Sequence, residues 1–211
     1  MTPAKVAQVK DHWYWRPGWR VGSRFYTWHI TFGDQQEIAK LAGRYRSALD
    51  TLPTLDVVPD EWLHLTMQGL GFVDQIQAND VDLIVARTRE RCANLTPMPL
   101  RVGAPHVDPE SIQIAVEPAE AVRALRREIR SAIGEVWGSD GVPEAAEPYT
   151  PHMSLAYINS AGPAEPLAEA LEAVTQEPAI AHVASCQLIV LNRDNKMYVW
   201  EPYATVKLGR D

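Results

Sequence analysis

Three stretches of the chain place a histidine two positions before a hydroxyl residue: His29-Ile30-Thr31, His64-Leu65-Thr66 and His152-Met153-Ser154. Each sits in a run that reads as a β-strand. On a strand, side chains at i and i+2 share one face. His64 and Thr66 therefore project together, while Leu63, Leu65 and Met67 turn to the opposite face and pack. His152 and Ser154 are set against Met153 and Leu155 in the same way. Phosphate chemistry gives such polar pairs a purpose. Cleaving a phosphodiester requires a base for the attacking oxygen and an acid for the leaving oxygen, and histidine serves in either role near neutrality. Hydroxyl donors beside the imidazoles can stabilise charge gathering on the nonbridging oxygens. Two His-x-hydroxyl pairs facing each other across a groove make a complete minimal site. No group of Cys, His and acidic residues has metal-ligand spacing, so neither a metal nor a cofactor is expected.

Other residues are candidates for holding substrate. His29 shares the spacing of the two main pairs and is expected to line the cleft or tune its neighbours. Trp62, on the same strand face as His64, and Tyr157 could stack on a base. Arginine suits phosphate because its planar fork donates bidentately. Arg24 and Arg101 are the candidates retained, with Arg16 and Arg20 behind them. Arg123, Arg126, Arg127 and Arg130 are expected to form the wet face of a helix, and His106 and His182 to be structural.

The elements that must position these residues follow from periodicity. Residues 1–22 hold Trp13, Trp15 and Trp19 around a Pro17-Gly18 turn. They read as an irregular arm that packs on the domain and lines a cleft. Strands are expected at Arg24–Phe32, at Glu61–Met67 (ended by Gly69-Leu70-Gly71), near Leu100–Val102 and at Ser111–Val116. Further strands fall at His152–Tyr157, Cys186–Leu191 and Met197–Val206, the last two joined by a turn over Asn192–Asn195. Helical spacing runs from Gln35 to Leu49 with Asp34 as a cap, from Val81 to Cys92, from Ala119 to Val136, and from Leu167 to Val174. The second half roughly repeats the first, with a boundary near residues 105–120. The class is α+β, with antiparallel sheets and helices on their outer faces.

The bulk numbers agree with an ordinary soluble domain: 211 residues, 46% hydrophobic and 22% charged. A formal charge of -7 argues against non-specific clinging to long nucleic acid or anionic membrane. It leaves room for a small or single-stranded phosphate substrate met by a few local arginines. No apolar run reaches the roughly 18 residues of a membrane span, and the N-terminus lacks a signal-peptide pattern. Cys92 and Cys186 read as buried thiols of a reducing compartment, and the expected location is the cytoplasm.

At the two main motifs the chain resembles a known family. His64-Leu65-Thr66-Met67-Gln68-Gly69-Leu70-Gly71 is similar to the first signature of the 2H phosphoesterases, a His-x-Thr followed by apolar residues and a Leu-Gly. Tyr149-Thr150-Pro151-His152-Met153-Ser154-Leu155-Ala156 is similar to the second, with its proline before the histidine. Within the superfamily the chain looks like the bacterial 2'-5' RNA ligase and RNA 2',3'-cyclic phosphodiesterase branch. The resemblance covers roughly Arg24 to the C-terminus. It implies a single bilobal domain over residues 23–211, with two antiparallel sheets flanking a central cleft. It implies metal-independent opening of a 2',3'-cyclic phosphate at an RNA end or on a small nucleotide, with RNA 2'-5' end joining or a catalytically weak RNA-binding module as alternatives. By resemblance His152 would be the base and His64 the acid, with Thr66 and Ser154 on the phosphate oxygens. The chain departs from the pattern in the Trp-rich arm, in Ser154 where Thr is usual, and in Tyr157 where an arginine often follows the second motif. Nothing in the sequence demands a protein partner, so a monomer is expected.

Overall fold

The computed structural model describes residues 6–210. Residues 1–5 of the expected arm, and Asp211, lie outside the described residues. In chain order the elements are β1 (Gln8–Val9), β2 (Phe25–Thr31), α1 (Gln36–Leu49), β3 (Leu55–Val57), β4 (His64–Phe72), α2 (Ala78–Cys92), β5 (Met98–Val107) and β6 (Ser111–Glu117). There follow α3 (Ala119–Trp137), β7 (His152–Ile158), β8 (Gly162–Pro163), α4 (Glu165–Glu172), β9 (Ala179–Val183), β10 (Ser185–Asn192) and β11 (Val199–Lys207). One sheet has the order β11-β10-β2-β4 and the other β3-β7-β6-β5-β9, and every pairing in both is antiparallel. The short pair β1-β8 ties the arm to the domain. Helices α2 and α3 pack together beside the first sheet, and α1 and α4 lie beside the second.

The α+β class with antiparallel sheets is as the periodicity predicts, but the halves are not consecutive. The first sheet takes β2 and β4 from early in the chain and β10 and β11 from its end. No break near residues 105–120 separates the lobes. Asp34 caps nothing: Gln35 stands at the N-cap of α1, with no side-chain cap bond. That helix is held instead by Ile38, Leu41, Ala42, Tyr45 and Leu49, all buried on one stripe. Nor do the glycines end the first motif strand. β4 runs on to Phe72, and Gly71 sits inside it at φ +146, a conformation that glycine adopts without the strain a Cβ would add.

Each strand that carries a His-x-hydroxyl pair of the two main motifs has a β-bulge directly after the hydroxyl. His29 faces Thr66 and Trp28 faces Gln68, which leaves Met67 of β4 unpaired with β2. Gln113 faces Ser154 and Ile112 faces Ala156, which leaves Leu155 of β7 unpaired with β6. A bulge inserts one residue and resets which side chains face which way. Gly69 and Tyr157, at odd offsets from their histidines, thereby return to the histidine face.

The bulges free backbone carbonyls that must find other donors. Val58 N–H donates to Leu155 O at 2.8 Å. Arg126 Nε donates to Met67 O at 2.7 Å, and its two terminal nitrogens donate to Ala146 O and Ala145 O. This corrects the reading of the α3 arginines as a wet face: Arg126 is only 5% exposed, and among the four Arg127 alone is exposed rather than buried or half-buried. The helical period puts Arg126 toward the core side, where the bulge gives its guanidinium acceptors.

Removing Arg126 would strand the buried carbonyl of Met67 and untie those of Ala145 and Ala146. Arg126→Ala is expected to cost about 2–4 kcal/mol of unfolding free energy by denaturant titration. Arg127→Ala, which loses one exposed ion pair with Glu120, should change it by under about 0.5 kcal/mol.

Candidate active site

The two motif strands begin at the same groove, one from each sheet. His64 opens β4 immediately after a single 3-10 turn at Asp60–Trp62. His152 opens β7 after Pro151. In both, the ring Nδ1 meets the carbonyl two residues back: Trp62 O at 2.7 Å for His64 and Thr150 O at 2.9 Å for His152. A carbonyl only accepts, so Nδ1 carries the hydrogen in each ring and a neutral ring keeps Nε2 as its free basic nitrogen. The two histidines line one cleft of about 430 Å³, together with Thr66, Ser154, His29 and Tyr157. That volume suits a ligand of nucleotide size. A proton on His152 would disfavour one on His64, a lesser cause than burial, so the two rings are electrostatic neighbours.

Burial sets the state of His64. The His29 ring lies parallel to it, with centroids 4.3 Å apart and planes 8° apart. Trp200 and Tyr198 meet it edge-on at 5.1 and 6.3 Å. Walled by rings, a charged imidazole loses water without gaining a counter-charge, and the His64 pKa is pushed down to about 4, chiefly by desolvation. His29, more deeply buried, is held well below the ordinary histidine range by desolvation and then by His64. Its Nε2 lies 3.1 Å from Thr66 Oγ1, so it positions the hydroxyl of the first motif while covering the ring.

Of the other expected substrate contacts, His29 and Tyr157 line the cleft, whereas Trp62, Arg24 and Arg101 do not. Trp62 packs edge-on against Trp200 at 4.7 Å. Arg24 is drawn to Asp194 at 3.0 Å. Arg101 faces Glu117 at 3.6 Å on β5, a strand that borders the cleft only through its sheet. Cationic and polar contacts come from elsewhere: His12 and Arg16 of the arm, Glu110 before β6, and Arg193 and Tyr198 of the β10–β11 connection. The arm packs as its tryptophans require, with Trp13 buried and Trp19 half-buried on Phe25, although Trp15 stays exposed. Arg193 lies in what reads locally as a surface hairpin turn, so nothing in its sequence context marks it for burial. Among the described residues no group of three or more His, Cys, Asp or Glu could hold a metal ion, and no helix is long and apolar enough to cross a membrane.

A family model described as the 2'-5' RNA ligase superfamily matches residues 34–195, most of the chain. The chain belongs to the 2'-5' RNA ligase superfamily, the 2H phosphoesterases. Its fold is similar to TT0787 of Thermus thermophilus, with TM-score 0.68 and 17% identity over 89% of this chain and 100% of that one. It is similar to E. coli LigT complexed with 3'-AMP, with TM-score 0.63 and 17% identity over 89% and 99% of the two chains. The PDE domain of MHV ns2 superposes with TM-score 0.53 at 10% identity, covering 80% of this chain and 99% of that domain. No curated protein matches the chain in sequence. Both histidine motifs of this 2H phosphoesterase fall inside the matched span, and the Trp-rich arm falls before it.

The neutral burial of His64 and His29 has a consequence for stability. Unfolding returns both rings to the ordinary value of 6.5, so below that pH the unfolded chain binds protons that the folded one refuses. The stability they confer is complete above pH 6.5 and is lost as the pH falls toward 4, where His64 protonates in the folded protein. Thermal midpoints should therefore drop across this window, and His29→Asn with His64→Asn should flatten part of the drop. An identical pH slope in the double variant would contradict the buried neutral state.

Proposed function

We propose that this 2H phosphoesterase hydrolyses a cyclic phosphodiester, most favourably a 2',3'-cyclic phosphate at an RNA end or on a nucleotide, using His64 and His152 as its acid–base pair. The observation that supports this reading is the shared Nδ1-to-carbonyl bond, which leaves Nε2 as the free basic nitrogen of two rings that line one cleft. In-line opening of a cyclic phosphate needs a proton removed from water on one side of phosphorus. It needs a proton delivered to the departing ribose oxygen on the other. Thr66 and Ser154, each two residues after its histidine, are the donors for the nonbridging oxygens. The same pair could open the ring with a ribose hydroxyl in place of water, which would be a joining reaction of the kind the family description names.

Burial supports a division of labour opposite to the one implied by resemblance. A ring held neutral down to about pH 4 begins the reaction able to accept a proton, which favours His64 as the base and leaves His152 to donate. Leaving-group strength tests the assignment. On adenosine 2',3'-cyclic phosphate, His64→Ala and His152→Ala should each lose at least about 10²-fold in kcat/KM, with the wild-type rate retained in EDTA. On an aryl phosphodiester, whose p-nitrophenolate departs without a proton, His152→Ala should recover at least about tenfold of that loss and His64→Ala should not. Recovery by His64→Ala instead would restore the roles implied by resemblance. Cyclic-phosphate turnover unaffected by either substitution would end the proposal.

A further inference from the structure

Arg193 is a buried cation with no counter-ion. It follows β10, is only 4% exposed, and lines the cleft. One terminal nitrogen donates to His12 O at 3.1 Å and Tyr14 O at 3.2 Å, and the other, Nη1, has no partner. Its guanidinium lies over the rings of Trp13, Trp19 and Tyr198, at 5.2, 5.8 and 5.8 Å. Among the described residues no carboxylate stands within ion-pair distance of it. Buried charges are ordinarily paired, because desolvating an ion is expensive. Ring faces and two carbonyls hold this one in place without neutralising it.

A second arginine stands on the same cleft. Arg16 also lines the cleft, and its Nε is buried without a partner. The acids in reach are Glu110 and Asp108. Glu110 is already met by Lys10 at 2.9 Å and by Arg16 at 2.7 Å, with His12 at 3.4 Å. His12 itself is kept neutral by burial, its pKa pushed down to about 4. Asp108 lies in the β5–β6 turn and accepts from Glu110 N–H at 3.4 Å. Of the two arginines that line this end of the cleft, Arg16 is thus paired with Glu110 and Arg193 has no carboxylate partner among the described residues. The Arg193 guanidinium is 5.8 Å from the Tyr198 ring centroid and the His64 ring is 6.3 Å from the same centroid, so both groups neighbour one aromatic ring of the cleft.

We infer that Arg193, with Arg16 beside it, forms a second anion subsite that takes a non-reacting phosphate of the substrate, one sugar away from the phosphate at the histidines. This rests on the proposed phosphodiesterase reading and narrows it. The substrate would carry phosphates on both sides of one ribose, as the terminal nucleotide of an RNA strand does and a nucleoside 2',3'-cyclic monophosphate does not. Arg193 then supplies charge-assisted, forked donors to an oxyanion that neutralises it in turn.

Binding of unreactive ligands to the full chain tests this without turnover. Adenosine 3',5'-bisphosphate should bind at least about tenfold more tightly than adenosine 3'-phosphate by calorimetry. Arg193→Gln should abolish that preference and Arg16→Gln should reduce it, each leaving adenosine 3'-phosphate within about threefold of wild type. A merely structural role for Arg193 would weaken both ligands alike. Equal affinities in the wild-type protein, or a preference unchanged in both variants, would overturn the subsite. The wild-type comparison and Arg16→Gln decide the matter if Arg193→Gln fails to fold. Titration with ApAp, whose second phosphate is an internal diester, identifies an RNA end if it binds as tightly as the bisphosphate. A preference for the bisphosphate alone identifies a mononucleotide. A bisphosphate preference without any hydrolysis would fault the proposed reaction and leave the subsite; hydrolysis without the preference would fault the subsite alone.

Discussion

The hydrogen bond from each imidazole Nδ1 to the carbonyl two residues before it is the constraint on which the site depends. An imidazole free to rotate or to change tautomer would offer a proton donor or an acceptor to the cleft at random. A carbonyl fixed by the turn or proline at the mouth of the strand removes that freedom. The same device at the start of β4 and β7 leaves Nε2 as the free basic nitrogen of two rings that line one cleft. What differs between them is the environment. His64 lies among His29, Trp200 and Tyr198, while His152 is half-exposed. Two chemically identical groups thus meet different solvation, and the proposed division of roles draws on that difference.

The bulges after Thr66 and Ser154 are the second device used twice. Each resets the strand so that residues beyond the hydroxyl also face the cleft, and each leaves a carbonyl to be satisfied away from the ladder. The two lobes solve that demand differently, one with the backbone of Val58 and the other with the buried fork of Arg126. Because Arg126 also holds the carbonyls of Ala145 and Ala146, the loop leading to the second motif is tied to the strand that carries the first. Arg126, which does not line the cleft, thereby couples the positions of the two motif strands.

Charge is placed against the average of the molecule. The chain is acidic overall, yet the cleft places Arg193, without a carboxylate partner among the described residues, beside Arg16, whose partner Glu110 is also met by Lys10. Net charge speaks to long-range attraction, whereas a ligand within a cleft meets local groups less screened by water. The arm that precedes the family span is part of this arrangement: its carbonyls hold Arg193, and its tryptophans cover the cation.

The sequence by itself determined the chemistry-bearing pairs. Alternation along a strand is a local property, so His64 with Thr66 and His152 with Ser154 were bound to share faces, and Leu63, Leu65 and Met67 to be buried behind them. It also determined the major helices, whose apolar stripes are periodic. The tertiary structure alone decided which strands pair, because register between segments far apart in sequence depends on packing rather than local preference. It carried β10 and β11 back beside β2, placed His29 on the face of His64, bent β4 and β7 at their bulges, and moved Trp62, Arg24 and Arg101 out of the cleft. It also buried Arg126 and Arg193. An arginine in a helix or a turn reads as solvated until some distant group supplies its acceptors or its ring faces, and no pattern in one dimension contains that group.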